Sequence, residues 1–181
     1  MKLASRMQRL GTETAFEVLV RARALEAQGR DVIHLEIGEP DFDTPSNVSE
    51  AGAKAIHEGW THYGPASGQP DLRQVIANYI NTRTGNSYTP ANVVVTPGGK
   101  PIMFFLITAL LEEGDEAIYP DPGFPIYRSM IDFVGAKAVP LPIREENDFR
   151  LDVSELESLI TPRTKFLIIN SPANPTGGVF T

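Results

Sequence analysis

The amino-acid sequence predicts an α/β protein with a mostly parallel sheet, and two observations support this fold class. Strand-like and helix-like segments alternate through the second half of the chain, a pattern that implies right-handed crossovers between parallel strands. Loops rich in proline, glycine, asparagine or aromatic residues follow predicted strands at residues 96–100, 120–124 and 170–178. Because parallel sheets place ligands at the carboxyl ends of their strands, we expect these loops to form a binding site.

Composition limits the classes of function. The 181 residues, 41% of them hydrophobic, suit one domain or slightly more with a substantial core. A net charge of −7 argues against a general nucleic-acid-binding or acidic-membrane-binding surface. The absence of cysteine excludes disulfides, thiolate nucleophiles and zinc fingers, and His34, His57 and His62 lack the spacing of metal ligands. No apolar run approaches the ~20 residues of a membrane helix, and no signal peptide is visible. We therefore expect a soluble cytoplasmic protein without a metal.

The N-terminal half predicts an arm, three helices and a strand. Residues 1–12 are expected to form a flexible arm. A capping-box pattern, Thr14-x-x-Glu17, begins a helix that ends at Gly29. Alternating apolar and polar residues predict a half-buried strand from Val32 to Ile37. Two further helices are predicted on either side of an aromatic loop, at residues 44–58 and 71–83.

A glycine turn separates a predicted strand from a predicted helix in the middle of the chain. The β-branched run Asn92–Val95 predicts a buried strand. The apolar run from Ile102 to Leu111 predicts a buried helix with Pro101 at its first position. The N–H groups at such a helix start form an anion site, and the glycines of the Gly98-Gly99-Lys100 turn allow close approach of the backbone. The spacing matches neither the dinucleotide-binding nor the P-loop motif. The lysine either closes on a phosphate or is a solvated residue at the helix start.

Three strands and two helices are predicted after the turn. Glycines, prolines and a second capping pattern, Asp152-x-x-Glu155, mark their ends. The predicted strands are residues 116–119, 137–141 and 165–169, and the predicted helices are residues 125–134 and 152–160.

Four motifs occur in a specific order along the chain. They are Ile37-Gly38-Glu39-Pro40-Asp41-Phe42, Tyr63-x-x-x-x-Gly68-x-x-x-Leu72-Arg73, Thr96-Pro97-Gly98-Gly99-Lys100 and Asn170-Ser171-Pro172-Ala173-Asn174-Pro175-Thr176-Gly177. In this order they resemble the class I and II aminotransferases, the fold-type-I pyridoxal 5′-phosphate (PLP) enzymes, from Leu35 onward. The resemblance implies a three-layer α/β/α large domain with a mostly parallel sheet, of which residues 44–181 are the incomplete first part. Residues 1–43 then form an arm, a helix and a strand on the small-domain side.

The resemblance also implies roles for residues in the three loops. The backbone N–H groups of Gly98, Gly99 and Lys100 would hold the cofactor phosphate. Phe124 would stack on the pyridine ring, and its alternative is ordinary core packing. Asn174 would hydrogen-bond the phenolic oxygen of the cofactor, and its alternative is a turn-forming asparagine between prolines.

Two further residues of the motifs match positions outside these loops. Tyr63 matches a tyrosine that reaches the cofactor phosphate of the partner subunit in a homodimer; its alternative is packing on Trp60. Gly38 matches a position whose backbone covers the substrate carboxylate, and its alternative is a glycine that ends a strand. Tyr127 and Arg73 are interpreted as structural residues.

Several residues that the family requires have no counterpart in this sequence. The Schiff-base lysine, the aspartate on the pyridine nitrogen and the substrate-binding arginine follow the Asn174 motif in the family, whereas this sequence stops at Thr181. We therefore expect the N-terminal part of an aminotransferase that moves an amino group from an amino acid to a 2-oxo acid. Whether the substrate is of the aspartate, alanine or aromatic type stays open, and this chain alone is predicted to be inactive. A lyase or decarboxylase of the same fold, or a non-catalytic ligand-binding module of that fold, is the alternative.

Overall fold

The computed structural model describes residues 2–11 and 14–180, which form two compact units. One unit combines Met1–Val32 with Gly98–Thr181, and the other is Ile33–Pro97. The predicted division of the whole protein at residue 43 stays a prediction. No helix in the described part of the chain is long and apolar enough to cross a membrane.

A three-stranded parallel sheet forms the centre of the first unit. Its strands are β1 (Glu116–Asp121), β2 (Lys137–Pro142) and β3 (Thr164–Leu167), in the order β2-β1-β3. The central strand β1 pairs in parallel with β2 along its whole length and with β3 through an irregular register near Glu116. The order confirms the predicted parallel α/β sheet.

Two helices cover one face of this sheet. They are α4 (Lys100–Leu110) and α5 (Ile126–Val134), which together with Ala117 and Tyr119 of β1 contribute to one buried apolar cluster. Successive strand residues point to opposite faces, so Ile118 of β1 belongs to a different cluster.

The second cluster lies under α6 (Val153–Leu159) on the opposite face of the sheet. Leu156 and Leu159 of this helix pack against Ile118 and the inward residues of β2. The Asp152 carboxylate caps the helix by accepting the Ser154 and Glu155 N–H groups, as the sequence pattern predicts. Helices on both faces give the three-layer α/β/α arrangement.

The apolar helix α4 is correctly predicted as a helix, but the prediction that it is buried is wrong. Ile107 is its one buried residue, whereas Phe105 is 57% exposed and Leu110 is 55% exposed. The α5 helix and the sheet cover one side of α4, and nothing in the described part of the chain covers its other side.

The Glu116 carboxylate connects the amino ends of the three strands through hydrogen bonds. Its side chain is only 1% exposed, and its carboxylate accepts hydrogen bonds from Arg163 at 2.7 Å, Thr161 at 2.8 Å and Lys137 at 3.3 Å. The hydrogen bonds from Arg163 and then from Thr161 lower the pKa of Glu116 to about 2. This ionised carboxylate therefore stabilises the fold at neutral pH.

We expect Glu116→Gln to lower the melting temperature of the protein, expressed from its complete reading frame, at neutral pH. The folded-state pKa lies below the ordinary value of 4.5. The stability from the carboxylate is thus present above pH 4.5 and is lost as the pH falls towards 2. The difference from the wild type should narrow over that pH range in thermal melts. The matched control is Glu146→Gln, whose side chain is 75% exposed and 3.9 Å from Arg144. An equal change in melting temperature in both variants would contradict the stabilising role of the Glu116 carboxylate.

The N-terminal segment is more ordered than the predicted arm. Ser5–Arg9 form a 3-10 turn, and Gly11 donates to the Ser129 hydroxyl at 2.9 Å while that hydroxyl donates back to the Gly11 carbonyl at 3.1 Å. Met1 and Thr12 of the predicted arm lie outside the described residues. Helix α1 (Ala15–Glu26) follows, but the predicted capping box is wrong, because the Thr14 side chain makes no capping hydrogen bond.

The second unit contains α2 (Ser46–His57) and α3 (Pro70–Thr84), both close to the predicted bounds. The predicted strands Val32–Ile37 and Asn92–Val95 do not form. Alternation and β-branching are local signals, whereas a strand needs a partner for its backbone hydrogen bonds, and neither segment pairs with a strand in the described part of the chain.

Side-chain contacts stabilise the irregular segment after α3 instead of a sheet. The guanidinium of Arg73 donates to the Val93 carbonyl at 2.8 Å and to the Pro90 carbonyl. The Val95 N–H donates to the Ser67 carbonyl at 2.9 Å. Arg73 therefore has the structural role that the sequence indicates.

Candidate cofactor-binding site

The glycine turn lies directly before α4, as predicted. Gly98 has a φ of +93°, in the left-handed region, and Gly99 is the N-cap residue with a φ of −81°. A Cβ added to either glycine would meet no atom within 4 Å. Only Gly98 therefore needs glycine for its backbone conformation, and the space in front of both residues is open.

The donors of this turn fit a phosphate group. The Ile102 and Met103 N–H groups both donate to the Gly99 carbonyl, at 3.1 and 3.4 Å, and Pro101 carries no N–H. Gly99 is the N-cap residue and Lys100 the first residue of this 11-residue helix, so both lie at its positive end. An open cradle lined by a helix start suits an anion.

The side chain of Lys100 approaches two aromatic rings. Its Nζ atom lies 5.6 Å from the centre of the Phe16 ring on α1 and 5.9 Å from that of Phe124. Both distances are within cation–π range. The ammonium group is therefore more than a solvated charge at a helix start. The sequence placed Phe16 only in an apolar helical stripe, so its position beside the lysine is a finding of the structure.

Phe124 lies in the loop that follows β1. Its ring is partly buried against the first apolar cluster and makes an edge contact with Tyr127, with ring centres 5.8 Å apart and planes at 86°. The preceding Gly123 has no room for a side chain, because a Cβ would lie 2.1 Å from the Pro120 carbonyl oxygen. Core contact thus accounts for part of the Phe124 surface, and the remainder is accessible.

Asn174 lies in a loop that closes on itself after β3. The Ala173 N–H donates to the Gly178 carbonyl at 2.8 Å, and the Gly177 N–H donates to the Ala173 carbonyl at 2.7 Å. Ala173 is buried, whereas Asn174 is exposed. The loop holds the backbone of Asn174 and leaves its amide side chain accessible.

Two residues to which the sequence assigns no role at the cofactor join the Phe124 and Asn174 loops. With its amide oriented to satisfy its neighbours, Asn170 accepts from the Tyr127 hydroxyl and from the Asn174 N–H, each at 3.3 Å, and donates to the Pro172 carbonyl at 3.2 Å. Tyr127 is buried, and burial raises the pKa of its hydroxyl. A contact chain thus runs from Lys100 to the Phe124 ring, from Phe124 to Tyr127, and through Asn170 to Asn174.

Tyr63 and Gly38 belong to the second unit, Ile33–Pro97. The Tyr63 side chain is fully exposed, so its alternative role of packing on Trp60 is wrong. Gly38 is also exposed, and the described residues 33–37 before it form no strand, so the alternative of a strand-ending glycine is wrong as well. Their roles towards a cofactor or a substrate stay predictions.

Comparison with known proteins establishes the class. The family model described as "Aminotransferase class I and II" matches residues 30–181. The chain therefore belongs to the class I and II aminotransferase family, whose members depend on PLP.

Individual relatives match almost all of the chain. It is 40% identical to a probable aspartate/prephenate aminotransferase of Aquifex aeolicus over 178 residues, which cover 98% of this chain and 45% of that protein. It is 41% identical to the aspartate aminotransferase of Geobacillus stearothermophilus over 181 residues, which cover 100% of this chain and 46% of that protein. The chain thus spans less than half the length of these relatives.

Solved structures agree with these matches. The aspartate aminotransferase from Thermus thermophilus with maleate superimposes with a TM-score of 0.94 at 40% identity, covering 100% of this chain and 47% of that one. An alanine aminotransferase from Pyrococcus furiosus gives a TM-score of 0.93 at 35% identity, covering 99% and 46%. The predicted fold class is confirmed.

Proposed function

We propose that this chain provides the phosphate-binding and ring-binding parts of a PLP-dependent aminotransferase, which transfers an amino group from an amino acid to a 2-oxo acid. The observation that supports this most is the contact chain that brings the Gly98-Gly99-Lys100 turn, Phe124 and Asn174 into one site. The roles of these residues follow from the resemblance to the family, and the family match over residues 30–181 supports the proposal.

Each group has a defined task in this proposal. The N–H groups of Gly98, Gly99 and Lys100 bind the phosphate, and the helix dipole of α4 favours its negative charge. The Phe124 ring packs on the cofactor ring and excludes water from one side of it. The Asn174 amide donates a hydrogen bond to the phenolic oxygen and orients the ring. When bound, PLP supplies an electron sink for bond breaking at the α-carbon of an amino acid.

The second unit contributes two further residues in this proposal. The exposed Tyr63 hydroxyl binds the cofactor phosphate of the partner subunit. This role requires the protein to be a homodimer. The backbone at Gly38 covers the substrate carboxylate. Amino acids and 2-oxo acids are metabolites of the cytoplasm, where we expect the protein to act.

Aspartate is the first amino donor to test. It occurs in the names of the Aquifex aeolicus and Geobacillus stearothermophilus relatives, and the Thermus thermophilus structure contains maleate, a dicarboxylate. Alanine is the comparison substrate, because the Pyrococcus furiosus structure is an alanine aminotransferase.

The proposal is tested with the protein expressed from its complete reading frame. We expect it to bind PLP, to change the absorption of the cofactor on addition of aspartate, and to release a 2-oxo acid. Phe124→Ala should weaken PLP binding about fivefold, because an aromatic contact of this kind contributes about 1 kcal/mol. Release of carbon dioxide or loss of a leaving group from the substrate would indicate a decarboxylase or lyase instead. PLP binding without any product would indicate a ligand-binding module.

A further inference from the structure

Tyr127 contacts both loops that carry the proposed ring-binding residues. Its ring makes the edge contact with Phe124, and its own N–H donates to the Phe124 carbonyl at 3.0 Å. With the Asn170 amide in the orientation that satisfies its neighbours, the Tyr127 hydroxyl donates to the Asn170 side-chain oxygen, and the same oxygen accepts the Asn174 N–H. One buried side chain thus contacts the residue proposed to stack on the cofactor ring and reaches, through one amide, the residue proposed to bind its oxygen.

This arrangement is more specific than ordinary core packing requires. Tyr127 is 6% exposed and lies in the same apolar cluster as Tyr119, which is also 6% exposed. A phenylalanine would fill the same apolar volume without a buried hydroxyl that needs a partner. The Tyr127 hydroxyl instead has its partner in the loop that follows a different strand. The hydroxyl therefore links two loops that are far apart in sequence.

We propose that Tyr127 is a positioning residue that holds Phe124 and Asn174 at fixed positions relative to the cofactor ring. It does so through its ring contact with Phe124 and through the Tyr127–Asn170–Asn174 hydrogen bonds. This inference rests on the proposed function. Tyr127 itself touches no cofactor atom in this proposal. Its effect is to keep the two loops at a constant separation, because the Asn170 amide can rotate once it loses the tyrosine partner.

The test compares Tyr127→Phe with Tyr119→Phe in the protein expressed from its complete reading frame. Loss of one hydrogen bond contributes on the order of 1 kcal/mol. We therefore expect Tyr127→Phe to weaken PLP binding roughly 3- to 10-fold and to shift the absorption of the bound cofactor. In the protein without cofactor, the peptide that contains residues 170–178 should exchange its amide hydrogens faster. Tyr119→Phe, a buried tyrosine of the same cluster, should change none of these three quantities.

A double-mutant cycle separates positioning from general destabilisation. If the hydroxyl acts through Asn170, the variant Tyr127→Phe/Asn170→Ala should bind PLP no more weakly than Asn170→Ala alone. Additive losses, or equal hydrogen exchange in Tyr127→Phe and the wild type, would overturn the inference. Failure of the wild-type protein to bind PLP would overturn the proposed function as well. Normal PLP binding by both the wild type and Tyr127→Phe would overturn only the positioning role.

Discussion

Replacing Gly99 with valine is expected to weaken PLP binding by about tenfold or more, because a side chain would enter the space that the phosphate needs. The fold should tolerate this change. Gly99 has an ordinary φ of −81°, and a Cβ there would meet no protein atom within 4 Å. The obstruction therefore acts on the ligand and not on the protein.

Titration of the apoprotein with PLP, followed by absorption, measures this effect. Gly52→Val is the matched control, since Gly52 lies in α2 and a Cβ at this residue would likewise meet no atom within 4 Å. Gly98→Val should behave differently from Gly99→Val. Its φ of +93° is unfavourable for valine, so we expect a lower melting temperature in addition to weaker binding. Unchanged PLP affinity in Gly99→Val would remove the phosphate site from this turn.

Residues 1–181 expressed alone are expected to show no transamination. The family uses a lysine to hold the cofactor covalently, and none of the five lysines of this chain lies in a match to the family's Schiff-base motif. Lys100 lies at the phosphate end of the proposed site. Lys137 contacts Glu116, and Lys165 lies 3.6 Å from Asp115, both at the amino ends of the strands. Treatment with PLP and borohydride should therefore leave no stoichiometric label on Lys100. The full set of lysines is Lys2, Lys54, Lys100, Lys137 and Lys165.

The same fragment should also expose apolar surface. In the described part of the chain β3 pairs only with β1, and most of the apolar residues of α4 are accessible. An unpaired strand edge beside an apolar helix promotes association. We expect strong binding of a hydrophobic dye, a broad thermal transition and aggregation. A cooperative transition together with measurable transamination by residues 1–181 would refute both expectations.

The sequence predicted the elements of the second half well because their signals are local. Gly135 ends α5 with a φ of +89°, and Asp152 caps α6. Apart from the capping box at Thr14, the wrong predictions concern contacts between distant segments. The predicted strand Val32–Ile37 has a good alternating pattern but no partner for its hydrogen bonds among the described residues.

The residues of the candidate site also divide into those that local motifs indicate and those that only contacts between distant segments reveal. Gly98, Gly99 and Asn174 lie within short sequence motifs, and Phe124 lies in a predicted loop after a strand. The sequence indicates only a structural role for Tyr127, because its link to Asn174 passes through an amide in another loop. No periodicity or spacing carries that information. The fold has to bring the two loops together before the contact becomes visible.

The ionic contacts of Glu116 lie at the amino ends of the strands, and the proposed recognition loops follow the carboxyl ends. The ionic anchor and the proposed recognition loops are therefore at opposite ends of this sheet. Libraries that randomise the loops after β1 and β3, with Gly123 kept constant, should retain folded members at a high frequency, because the carboxylate anchor is left untouched. Such a division makes the scaffold evolvable: new substrate preferences can arise by substitution at one end without loss of the ionic anchor at the other.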